Sequence, residues 1–177
     1  MKLTPRWRKI ALITHVASSV GWLGADAVLV VLGVAGLTGA AGGPDVVYPV
    51  AGLIGTVLIT PLAVAALVTG ILCGLGTKWG LIRYWWVTVK LVVTAGMTVL
   101  VLFLLAPGLR TAAELGAELP RDEQINMVVA PSVACSLLLL TTVLSVAKPW
   151  DRTARGRRAV ATGRRSAPRT EPRPVGS

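Results

Sequence analysis

The sequence predicts an all-α integral membrane protein, a four-transmembrane-helix up-down bundle, and three observations lead there. Of the 177 residues, 54% are hydrophobic and only 15% charged, with a mean hydropathy of +0.70, outside the range of a soluble globular domain. The apolar residues are gathered into long runs and do not recur with the period of two or 3.6 residues that marks a half-buried strand or helix. Four such runs each exceed the ~20 residues needed to cross a ~30 Å hydrocarbon core.

The runs extend over about 10–37, 50–75, 86–106 and 127–147. With no water in the bilayer core, each must satisfy its backbone internally, so each is expected to be helical. The first run follows Lys2, Arg6, Arg8 and Lys9 as a secretory signal would. It is nearly twice as long as the ~7–15 residues of a signal h-region, so a retained span is expected. The second contains Pro61, expected to free a carbonyl and bend the helix, with Thr56 or Thr60 at hand to satisfy it. The third follows the aromatic group Tyr84, Trp85, Trp86, and the fourth ends before Trp150. There is no internal repeat.

Orientation follows from the basic residues beside each span. The N-terminal flank, the second loop with Lys78 and Arg83, and the segment from Lys148 onward are basic. The loop AAGGPDVVYP has no basic residue, and PGLRTAAELGAELPRDEQIN sets Arg110 and Arg121 against Glu114, Glu118, Asp122 and Glu123. Both termini are therefore expected in the cytoplasm of a bacterial cell, with the protein in the plasma membrane. Trp7, Trp79, Tyr84, Trp85, Trp86 and Trp150 fall near the same inner interface, as aromatic anchors do. Nine of the 18 basic residues lie from Lys148 to the end. Residues 151–177 are rich in Arg, Pro, Ser and Thr and lack the apolar content for a core, so a disordered basic tail is expected. Anionic lipid of the inner leaflet is its expected partner, and nucleic acid is not, although the net charge is +10.

The first run carries the most informative pattern: His15, Ser18, Ser19, Trp22 and Asp26, spaced three and four apart. At about 100° per residue they share one face, which lipid would not tolerate. Lys90 and Thr94 share a face of the third run. Lys90 lies ~6 Å inside its span and His15 ~7–8 Å inside its own, so the two are expected at one depth, whereas Asp26 lies ~24 Å in and is not expected to pair with Lys90. His15, Ser19, Trp22, Asp26, Lys90 and Thr94 are thus the candidate ligand-binding residues. Each also has a structural reading: Lys90 snorkelling to inner headgroups, His15 and the serines bonding a neighbouring helix, and Asp26 reaching the outer interface of a tilted helix.

No catalytic motif is present: no phosphate loop, no paired carboxylates, no supported Ser-His-Asp order, and enzymatic activity is left undecided. Cys73 and Cys135 sit inside apolar runs, where thiols behave as small hydrophobes, and no disulfide or metal site is expected. The cofactor is unknown. A bis-histidine haem within one chain is excluded by the single His15, leaving a His/Met haem with Met97 or Met127, or one shared between protomers. Small residues at Gly21 and Ala25, Gly33 and Gly36, and Gly70 and Gly74 permit close helix approach. They motivate the alternative of a non-catalytic membrane partner or oligomerising subunit.

The stretches HVASSVGWLGADAVLVVLGVAGL and TPLAVAALVTGILCGLGTKWGLIRYWWVTVKLVVT resemble an actinobacterial-type integral membrane family, the domain of unknown function 2269. The resemblance covers the first three spans and is most specific in TGILCGLGTKWGLIRYWWVTVKL. It implies a small multi-pass protein of the plasma membrane and supplies no activity. The opening of the first span is also similar to first helices of copper-resistance-type membrane proteins and of a membrane protoporphyrinogen oxidase family, which implies an early histidine serving metal or haem. Only His15 matches; their further histidines are absent. The expectation that emerges is an intramembrane polar site, formed by the first-helix face and Lys90, for a lipophilic ligand or a proton path.

Overall fold

In a computed structural model, which describes residues 4–76 and 85–147, four long apolar helical spans form the bundle: Pro5–Thr38, Pro44–Leu75, Trp85–Glu118 and Arg121–Ala147. The protein is a multi-pass membrane protein with an all-α fold. The first span is one continuous helix, α1 (Pro5–Thr38), started by Pro5 in its first turn and ended by Gly39 in the left-handed region. The second divides into α2 (Pro44–Leu53) and α3 (Thr60–Gly76), the third into α4 (Trp85–Leu100) and α5 (Ala106–Leu115), and the fourth is α6 (Arg121–Ala147). The second loop and the tail, with Lys78, Trp79, Arg83, Tyr84 and Trp150, lie outside the described residues.

Each divided span is interrupted by a single π-turn, at Ile54–Ile59 and at Val101–Leu105. Each turn is followed by a proline, Pro61 or Pro107. A proline in an α-helix lacks its N–H and presses its ring on the carbonyl four residues back; the wider turn moves that carbonyl out of the way. The Thr60 and Ala106 amides reach five residues back, to the carbonyls of Gly55 and Val101. The Thr60 hydroxyl also donates to Gly55 O (2.8 Å), and that of Thr56 to Gly52 O (2.9 Å). Neither hydroxyl reaches the carbonyl that Pro61 frees: Thr56 donates to Gly52 O, and Thr60 doubles its own amide's bond to Gly55 O.

The same device corrects the expected third loop. Pro107 does not end the third span, which runs to Glu118 where the sequence predicts an end at Ala106, and α6 begins at Arg121 where the sequence predicts Met127. The charged stretch between is mostly helix: α5 buries Leu109 and Ala112 and exposes Arg110 and Glu114, so it extends the span beyond the hydrocarbon as an amphipathic end. The first two spans are likewise longer than predicted, starting at Pro5 and Pro44.

At the end of the bundle away from the termini, the two connections are tied together. Asp45 Oδ1 accepts from the Ala117 amide (2.7 Å), and Gly116 next to it has φ +52, where a Cβ would land on that oxygen. The Arg121 guanidinium donates to Leu37 O (3.3 Å), joining the start of α6 to the end of α1. At the opposite end, Trp7 and Trp85 are 62% and 54% exposed, as amphipathic rings at a headgroup boundary would be.

The core runs along α1, which packs on α2, α3 and α6. Trp22, Leu29, Tyr48, Ile59 and Ala63 are its most enclosed members. Small residues set the approach distances. Gly33 faces the Met127 carbonyl of α6, Gly36 the Tyr48 ring of α2, Gly21 the Leu62 side chain and Gly70 the His15 ring. Elsewhere the long apolar side chains point outward, as in Ile13, Val31, Val57 and Phe103, the arrangement expected where the solvent is hydrocarbon.

Candidate functional site

His15 is half-buried and turned into the bundle, against α3. Its Nδ1 lies 2.9 Å from Ala66 O and 3.3 Å from Thr69 Oγ1. The Thr69 hydroxyl proton is directed to Ala65 O, so its oxygen acts as an acceptor. Both contacts call for the ring proton on Nδ1. Gly70 makes the approach possible, since a Cβ there would sit 3.1 Å from His15 Cε1. Ser18 donates to its own helix at His15 O (3.2 Å).

Lys90 on α4 is directed across to α6, where Nζ donates to Ser145 Oγ (2.6 Å). Ser145 passes its own proton to Thr141 O (2.9 Å). Of the two expectations for Lys90, the bundle-facing one describes the geometry: its ammonium ends on a hydroxyl of the fourth span. Thr94, one turn further along α4, is buried.

His15, Ser19, Trp22, Lys90 and Thr94 line one small chamber of about 30 Å³, completed by Ala66 from α3 and by Leu138, Thr141 and Thr142 from α6. Five of the six candidates are thus brought together. Thr69, Thr141, Thr142 and Ser145 were not singled out from the sequence, although Thr141, Thr142 and Ser145 recur at the three- and four-residue spacing that marked the first helix.

Asp26 is the sixth, and it stands apart. It lies twelve residues before Thr38, the end of α1, about 18 Å along the axis. The residue is wholly enclosed. Neither carboxylate oxygen has a well-formed hydrogen-bond partner among the described residues, and the nearby indole N–H of Trp22, one turn before, is at most a weak donor to it. The interfacial reading is therefore corrected: packing by α6, whose Cys135 Sγ lies 3.9 Å from Leu23 O, closes this face. Asp26 and Lys90 do not pair, as their depths predicted; Lys90 is on Ser145.

An apolar cleft of about 260 Å³ lies between α4–α5 and α6, lined by Met97, Leu100, Val101 and Leu105 on one side and Met127, Ala130, Ala134 and Leu137 on the other. It lies along the next turns of the same two helices. Met97 is the next turn of the α4 face that carries Thr94, and Leu137 adjoins Leu138 on α6. A haem does not fit at His15, because the chamber has room for about two water-sized groups. Met97 and Met127, the thioethers that would complete a His/Met pair, line the cleft and not the chamber. Cys73 and Cys135 are free thiols on different spans.

Comparison with family models, with curated proteins and with solved structures returns no match for this chain. Function is therefore argued from the chamber and the cleft.

Proposed function

We propose that the protein holds a lipophilic molecule within the bilayer, its polar end in the chamber of His15, Ser19, Lys90 and Thr94 and its body in the cleft beyond. The observation that carries this is that a small polar chamber and a larger apolar cleft occupy successive turns of α4 and α6. A site of that make-up, mostly apolar with a few convergent polar groups, is the usual form of a small-molecule site between bundle helices. The cleft suits a slender ligand better than a partner helix, whose diameter with side chains is about 10 Å. The family resemblance to the domain of unknown function 2269 is kept as a proposal and adds no activity to it.

Ala134→Trp tests the reading by filling the cleft. Native mass spectrometry of the purified wild type should find a co-purifying molecule, and the variant should retain roughly tenfold less of it while melting in detergent as the wild type does. A wild type that carries nothing, or equal retention in both, would sink the proposal and move the weight to a partner-subunit role.

Both termini are assigned to the cytoplasmic side of a bacterial plasma membrane, on the positive-inside distribution, and the basic tail to its anionic lipid. In intact cells, with Cys73 and Cys135 replaced, Glu118→Cys should react with an impermeant thiol reagent and Thr153→Cys should not. The opposite pattern reverses the assignment.

A further inference from the structure

The ligand class is written in the charge and size of the chamber. This inference rests on the lipophile-binding reading above. Lys90 has three N–H donors, and the bond to Ser145 engages one. Among the described residues, no aspartate or glutamate lines the chamber. Asp26, the carboxyl buried in α1, is outside it, beyond the Trp22 ring. An ammonium held in a membrane interior is ordinarily met by an opposite charge or by carbonyls, and here the described residues leave that place to a ligand. The anion has a size limit as well. About 30 Å³ admits roughly two water-sized groups, which matches the two oxygens of a carboxylate and is too small for the four of a phosphate. Ser19 supplies a hydroxyl beside them. The apolar cleft of about 260 Å³ lies beside this point, between one pair of helices, lined by Met97, Val101 and Leu137 among others.

We infer that the site binds an unbranched long-chain carboxylic acid, with its carboxylate on Lys90 and its hydrocarbon chain along Met97, Val101 and Leu137. The head group therefore supplies the counter-charge that the bundle itself lacks at Lys90.

The test uses the full chain, delipidated in detergent, offered equal amounts of oleate, oleyl alcohol and oleyl phosphate, with occupancy read by native mass spectrometry. Oleate should be bound at least about tenfold more than either of the others. Lys90→Met, which keeps the stem and removes the charge, should bring oleate down to the level of the alcohol and leave the alcohol unchanged. Lys90→Arg should restore the preference. Ala134→Trp should reduce all three. Equal binding of oleate and oleyl alcohol by the wild type overturns the carboxylate assignment and leaves a lipophile site standing. A preference for the phosphate overturns the carboxylate in favour of a larger anion. Binding of none of the three overturns the site reading and this inference with it.

Discussion

Gly33→Ala should destabilise the bundle by about 2–3 kcal/mol, the upper part of the range for overpacking a close contact. The added Cβ would lie 2.5 Å from the carbonyl oxygen of Met127 and 2.9 Å from its carbonyl carbon. Both are backbone atoms of α6, so no side chain can swing aside, and α1 and α6 must separate along the face that holds the core. Gly24, on the same helix, has nothing within 4 Å of its would-be Cβ, and Gly24→Ala should leave stability unchanged or raise it by about 0.5–1 kcal/mol through helix propensity alone. Thermal melts of both variants in one detergent check the pair. Equal melting temperatures would mean that α1 and α6 are not in backbone contact at this level.

Replacing Asp26 should act in the opposite direction. Its carboxyl group is enclosed, with no well-formed hydrogen bond to either oxygen among the described residues, and an unsatisfied buried polar group costs about 1–3 kcal/mol, more when charged. Asp26→Ala removes it and leaves a void smaller than a leucine would. The balance predicts a gain of about 1–2 kcal/mol, seen as a melting temperature several degrees higher. Asp26→Asn, which keeps a polar group in the same place, should melt close to the wild type. A fall in melting temperature for Asp26→Ala would show that the carboxyl has a stabilising partner, and a loss of ligand in the same variant would connect that partner to the chamber.

The four spans were legible because hydrocarbon imposes a length and a composition that a soluble core does not. The chamber was legible for a related reason. Polar residues at positions 15, 19 and 22 cannot face lipid, and simple rise per residue put Lys90 at the depth of His15. The cleft was not legible, because leucine, valine and methionine look the same in sequence whether they face a ligand, a neighbouring helix or lipid. Asp26 was ambiguous because the length of the first run allowed a tilt that would expose it, and only the packing of α6 decides against that. Pro107 misled for a specific reason: a proline next to Gly108 and Arg110 reads as the end of a span, and nothing in single-residue propensity announces a π-turn one step earlier. Ser145, the partner of Lys90, lies 55 residues away from it, a pairing that only the folded bundle defines.

The paired π-turns also bear on how this chain tolerates insertion and deletion. A π-turn holds one residue more than the turn it replaces, which rotates everything beyond it by about 100°. The second and third spans carry this extra residue at adjacent levels, as the contacts of Gly55 with Leu109 and of Thr98 with Ala63 O show. Their far halves are therefore phased together, and Gly52 of α2 and Gly55 of the following π-turn meet Leu109 and Ala113 of α5. Losing the extra residue from either span would turn a lipid-facing surface toward its neighbour, and losing it from both would also turn α2 away from α1, on which it packs. Within the membrane, then, a change of length at either π-turn is not neutral, even when matched by one in the other span.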